Sequence, residues 1–151
     1  MIRISFGTVA LGTLAACTGG GIPTSAGGAG GVTVDVNLTL NAPVKTPYGE
    51  SGGYSPATTT VAVGSRIHFM NTDSFTHTAT LISSATQFPK GSPFGLPALM
   101  QHGTMLSRGF SSGALQSGSS SQTITADRAG TYLFGCFFHY GAPMRAIIVA
   151  Q

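Results

Sequence analysis

Two short apolar runs near the C-terminus, within GTYLFGCFFHYGAPMRAIIVAQ from Gly130 to Gln151, leave the chain few folding options. Thr131 to Phe134 and Arg145 to Ala150 are β-branched and aromatic, which predicts two strands joined by a short loop. Cys136, His139 and Met144 all fall in that loop, three metal-binding side chains within nine residues. A thiolate and a thioether suit soft Cu(I), and imidazole suits copper in either oxidation state. One cysteine, two histidines and a weak axial methionine form the copper arrangement used for electron transfer. The second histidine has to come from upstream.

Upstream, GSRIHFMNTDSFTHTATL from Gly64 to Leu81 supplies His77. It follows the turn-forming stretch Asn71 to Ser74 and opens a predicted strand from His77 to Ser83. Together the two segments resemble the halves of a type 1 copper site in the plastocyanin and pseudoazurin branch of the cupredoxins. Cys136, two residues, His139, four residues, Met144 is that branch's spacing, set in the frame GTYxFxCxxHxxxxM. The resemblance covers Val32 to Gln151. It implies one copper ion cycling between Cu(II) and Cu(I), with His77, Cys136, His139 and Met144 as ligands and Asn71 and Thr78 bracing them. Two departures stand out: Thr76 replaces a frequent proline, and Thr78 replaces a frequent asparagine that bonds the thiolate. The Thr78 hydroxyl is expected to donate one such bond, and outer bonds of this kind tune the metal. The resemblance also implies a docking collar around His139 from Phe137, Phe138, Tyr140 and Pro143, with Phe137 and Phe138 not both turned outward.

The chain begins MIRISFGTVALGTLAAC, one basic residue, an apolar run and small residues before Cys17. Leu14-Ala15-Ala16-Cys17 resembles the lipobox of bacterial lipoproteins, which implies a signal peptide at 1–16 and acylation of Cys17. An ordinary secretory signal is the alternative; the run is too short to span a bilayer as a helix. Either way the reading is export to the periplasm or cell surface. Thr18 in place of an aspartate favours the outer membrane in a cell that has one. Thr18 to Gly31 has seven glycines in fourteen residues and reads, with Cys17, as a tether over 17–31 that spans roughly 20 Å as a random coil. With Cys17 lipidated, Cys136 has no disulfide partner, and a lone exported thiol is oxidised unless something holds it.

The domain proper is expected over 32–151, a length that suits one domain with a core. Val32 to Leu40 alternates without a break and predicts a half-buried strand. Asn41 to Ala57 is punctuated by proline and glycine and reads as a loop, with Tyr48 and Tyr54 as surface packing. Thr58 to Val63, Ser65 to Asn71 and Gln122 to Ala126 complete the strands. In the second of these Ile67 and Phe69 share one face and His68 the other, so His68 reads as a surface or hydrogen-bonded residue. Seven to eight short strands with glycine-rich and proline-rich turns predict an all-β, Greek-key antiparallel sandwich or barrel. Ser84 to Ser121 is a long segment without a sustained period, with a short helix expected around Leu96 to Leu106. Its Met100, His102 and Met105 raise the idea of a second copper site, against the plainer reading that they pack on the domain.

Seven basic and four acidic residues are scattered, so no nucleic-acid stripe is present and charge steering of partners is modest. Two functions follow. The first is a one-electron carrier, monomeric, touching donor and acceptor redox proteins briefly and held to a membrane by its lipid. The second is a copper chaperone or sensor, for which metal exchange is the task. A copper enzyme would need further centres, and a methionine ligand fits structural zinc poorly.

Overall fold

The computed structural model describes residues 32–36 and 43–151. The signal, Cys17 and tether readings, and Leu38 and Leu40 of the first strand, lie outside the described residues. Among the described residues there are twelve short strands: β1 Val32–Val36, β2 Val44–Thr46, β3 Gly49–Ser51, β4 Tyr54–Ser55, β5 Thr58–Val61, β6 Arg66–Asn71, β7 Thr80–Leu81, β8 Gln101–His102, β9 Ser111–Ser112, β10 Ile124–Thr125, β11 Gly130–Gly135 and β12 Arg145–Ala150. One sheet runs β10-β6-β1-β4 and the other β5-β12-β11-β7-β9-β8, with β2 and β3 forming a separate hairpin. This is the all-β Greek-key sandwich expected, although β1 with β6 and β5 with β12 pair in parallel.

The alternation in β6 explains its placement. Ile67 and Phe69 are fully buried, while Arg66, His68 and Met70 on the other face keep some exposure. Ile67 and Phe69 meet Ile124 from β10 and Phe134, Ala146 and Ile148 from β11 and β12 in the core between the sheets. The rings of Phe69, Phe110 and Phe134 lie 5.1 to 6.1 Å apart, a spacing at which aromatic pairs add to simple burial. β12 is apolar on both faces because both are covered. Ala146, Ile148 and Ala150 face the main core, and Ile147 joins Ile82, Phe88, Leu133 and Tyr140 in a second cluster on the outer side. A strand buried twice reads as a continuous apolar run, as Ala146 to Ala150 does.

Several expected elements differ. The 41–57 loop holds the β2–β3 hairpin and β4. Its Tyr54 is 3% exposed rather than on the surface, because β4 pairs with β1 and turns the ring edge-on to Phe69, 6.1 Å away. The strand expected over His77 to Ser83 shortens to β7, with His77 pairing separately to Leu115. In place of one helix, two 3-10 turns, Leu96–Leu99 and Leu106–Arg108, flank β8. Gly103 has φ +77°, and a Cβ there would run into the Gly109 carbonyl oxygen, so the chain folds back where a helix would continue. Leu106, Phe110 and Leu115 from this segment enter the main core.

Candidate metal centre

Three polypeptide pieces converge at one end of the sandwich. β6 ends at Asn71, whose buried side chain organises the turn that follows. Its amide nitrogen donates to the carbonyls of Phe75 (2.7 Å) and Leu115 (2.9 Å), and its oxygen accepts the Asp73 N–H (2.9 Å). An amide has donors and an acceptor on one group, so it can tie three strands of backbone at once. The 112–118 segment lies alongside: His77 N–H donates to the Leu115 carbonyl (3.1 Å) and Leu115 N–H to the His77 carbonyl (2.7 Å). His77 is thereby fixed and fully buried.

The third piece is the β11–β12 connection. Cys136 N–H donates to the Met144 carbonyl and Met144 N–H to the His139 carbonyl, both 3.1 Å, and Ala142 N–H to the same His139 carbonyl at 2.9 Å. These bonds close the loop and set Cys136, His139 and Met144 on its inner side. Cys136 and Met144 are fully buried and His139 is half-buried. Met144 rests against the backbone of Gly53: a Cβ on Gly53 would lie 2.6 Å from the Met144 Cγ. Gly52 pairs with Arg145 in both directions, N–H to carbonyl at 3.0 and 2.8 Å, which holds that backbone in place.

His77 Nδ1 and His139 Nδ1 are 3.1 Å apart, and each is 3.8 Å from Cys136 Sγ. The centre of that triangle lies about 2.1 Å from every corner, which is within the roughly 2.0–2.3 Å of metal bonds to imidazole nitrogen and thiolate sulfur. One ion therefore fits all three donors without side-chain movement. Two imidazoles and a thiolate in a three-cornered array, with a buried methionine closing the same loop, is the donor set of electron-transfer copper. Burial, and then the charge of the facing His77, lower the His139 pKa, with Asp73 opposing; the neutral, ligating form is favoured.

A model of the copper-binding proteins of the plastocyanin/azurin family matches residues 49–151. The chain belongs to that family. As a cupredoxin it binds copper, one ion, and His77, Cys136, His139 and Met144 form the candidate site. Among solved structures, a mutant amicyanin in the Cu(I) state is 14% identical, with a TM-score of 0.51 over 81% of this chain and 83% of that one. A reduced amicyanin mutant is also 14% identical, with a TM-score of 0.51 over 83% of this chain and 87% of the other. A purple cupredoxin from Nitrosopumilus maritimus is 17% identical, covering 79% of this chain and 98% of its own, with a TM-score of 0.49. At such identities the amicyanin likeness concerns the fold alone. No curated protein sequence matches the chain.

The remaining expected site residues divide. Thr78 is buried beside the Cys136 sulfur, but its backbone N–H, 3.4 Å from Cys136 Sγ, makes the contact expected of its hydroxyl. The hydroxyl oxygen instead accepts the Phe137 N–H at 2.9 Å and so links the two ligand segments. Phe138 is 45% exposed and Phe137 and Pro143 are half-buried at the same end. Tyr140 does not join that collar. Its phenol donates to the Pro89 carbonyl (2.9 Å), the Arg145 guanidinium sits 4.2 Å from the ring centre, and only 2% of it is exposed. The turn over 137–143 carries the chain past His139 so that Tyr140 packs into the outer cluster beside β12, on the side away from Phe138. Met100 and His102 are exposed on and beside the edge strand β8, and the described residues contain no second cluster of three or more histidine, cysteine or carboxylate groups.

The sequence reading missed three residues at the centre. Asp73 was read only as part of a turn, yet its Oδ2 lies 3.0 Å from His77 Nε2. The signal was available, because a carboxylate four positions before a ligating histidine can reach the far ring nitrogen. Gly53 and Tyr54 carried no such signal. Tyr54 donates its hydroxyl to the Thr78 carbonyl (2.8 Å). Burial, reinforced by Cys136, raises its pKa well above the usual phenol value and keeps it a neutral donor.

Proposed function

We propose that the protein is a one-electron carrier that cycles its copper between Cu(II) and Cu(I) and meets its redox partners briefly. The observation that carries this reading is the 3.1 and 3.8 Å triangle of His77, His139 and Cys136, braced by backbone on every side. Copper supplies the redox change. The chain's contribution is to hold its donors still, so that little has to move when the charge changes. Asn71 and Leu115 hold His77, Thr78 N–H points at the sulfur, and the closed loop holds His139 and Met144. His77 and Cys136 are fully buried, which keeps water away and makes ready metal exchange difficult. That burial favours a carrier over a chaperone, and the exposed Met100 and Met105 lie outside the cluster.

His139 is the half-buried ligand, beside the exposed Phe138 at a ring-centre distance of 6.2 Å. Phe138, Phe137 and Pro143 offer the small apolar contact that suits a transient electron-transfer encounter. The docking role, the carrier role rather than an enzymatic one, and the exported, Cys17-anchored location are all part of the proposal. The location rests on the sequence of residues 1–31 alone.

The test is the visible and electron paramagnetic resonance spectrum after one equivalent of Cu(II). The expected result is an intense thiolate-to-copper band with a narrow copper hyperfine splitting, bleached by mild reductant and restored by oxidant. Cys136→Ser should abolish the colour. A pale spectrum from the unmodified protein, or colour retained in Cys136→Ser, would overturn the carrier reading. For the anchor, labelled fatty acid should enter the protein in bacteria and be lost on Cys17→Ala; no incorporation would remove that part.

A further inference from the structure

The His77 ligand has a carboxylate behind it. Asp73 Oδ2 is 3.0 Å from His77 Nε2, the ring nitrogen that faces away from Cys136 and His139. Oδ1 of the same carboxylate accepts the Ser74 N–H at 2.6 Å and is 3.4 Å from the Ser74 hydroxyl, and the Asp73 N–H donates to Asn71 Oδ1. Both oxygens are therefore aimed by a turn that the buried Asn71 ties to Phe75 and Leu115. His77 has no exposed side-chain surface and Asp73 only 14%, so solvent screens the pair weakly.

We propose that Asp73 is a positioning residue with two effects: it fixes the His77 tautomer that presents Nδ1 to copper, and it holds the reduction potential down. This rests on the copper site described above. An ionised carboxylate only accepts hydrogen bonds, so Nε2 must carry the hydrogen and Nδ1 must present a lone pair. Carboxylate partners of this kind also raise the basicity of a ligating imidazole. A negative charge that stays in place favours the more positive copper state, and the weak screening preserves its effect. Oxidation is thereby favoured and the potential lowered.

Two measurements on the full chain test this. The first is long-range ¹H–¹⁵N NMR of the copper-free protein, which distinguishes the two imidazole tautomers. His77 is expected with its hydrogen on Nε2; a hydrogen on Nδ1 overturns the proposal. The second is potentiometry of the copper-loaded protein with Asp73→Asn and Asp73→Glu. Asparagine has one acceptor oxygen and cannot serve both Ser74 and His77. Asp73→Asn should weaken Cu(II) binding about tenfold relative to Cu(I), at the low end of the 10–100-fold typical of such partners, which reads as a rise of about 59 mV for one electron. Asp73→Glu restores the charge and should bring the potential back toward the original value. An unchanged potential in Asp73→Asn with the blue spectrum intact, or a Glu variant no nearer the original than Asn, overturns the proposal. Should Asp73→Asn not fold, the NMR result still decides, and a Glu variant whose potential rises by the full shift of about 59 mV rejects the role. A chain without the blue spectrum before any substitution would instead defeat the copper reading, and the tautomer would still be measured.

Discussion

Single atoms decide the chemistry of the metal end. Met144 is the softest and weakest of the four candidate ligands, and its side chain is fully buried against Gly53. Met144→Leu keeps the volume within what a core tolerates, so folding should be lowered by less than about 1.5 kcal/mol. The coloured copper form should persist with a changed potential, because the axial ligand tunes it. Cyclic voltammetry checks this, and an unchanged potential would place Met144 outside the copper sphere. At this scale the sequence was highly legible. Cys136, His139 and Met144 are locally spaced, and their residue types carry the ligand chemistry with them. The Tyr140 reading failed for the opposite reason: which way an aromatic beside a ligand turns depends on whether Phe88, Phe94 and Arg145 wait behind it.

Strand ends and loops do the positioning. The Gly52–Gly53 segment has no local pattern of its own, yet it pairs with Arg145 and presses on Met144. Gly53 has φ +72°, and a Cβ would fall 2.6 Å from the Met144 Cγ. Gly53→Ala therefore combines a left-handed alanine, about 1–2 kcal/mol, with overpacking of about 1–3 kcal/mol. A loss of roughly 2–5 kcal/mol by chemical denaturation is expected, with the blue band shifted as Met144 is displaced. Full stability would show that the segment yields easily. β6 and β12 were legible because their apolar pattern matches their burial. β2, β3, β4, β8 and β9 were not, each having only two or three residues. Strands that short exist because a neighbour supplies the hydrogen bonds, and no period can show in two or three residues.

For the whole molecule, the metal couples folding to function. His77 and Cys136 are far apart in the chain and brought together only in the folded state, so the full donor set exists only in the native protein and copper binds it more tightly than the unfolded chain. At one hundred times its dissociation constant, such a ligand stabilises the fold by about 2.7 kcal/mol. For a domain of this size the midpoint of thermal unfolding should rise by roughly 10 °C, and a chelator should reverse it. Equal midpoints with and without copper in calorimetry would show that the site does not form with the fold. The sequence by itself determined the all-β class, the copper-type donors and the strands with strong alternation, because residue chemistry and period-two patterning are local properties. Asp73 behind His77 was within reach of the sequence through its four-residue spacing, but only the tertiary structure decided that the Thr78 N–H rather than its hydroxyl meets the sulfur and that Gly53 lies under Met144. It alone also decided the parallel pairings of β1 with β6 and β5 with β12. Contacts between residues distant in the chain depend on how two sheets close over one core, and that closure leaves no trace in the spacing of any one segment.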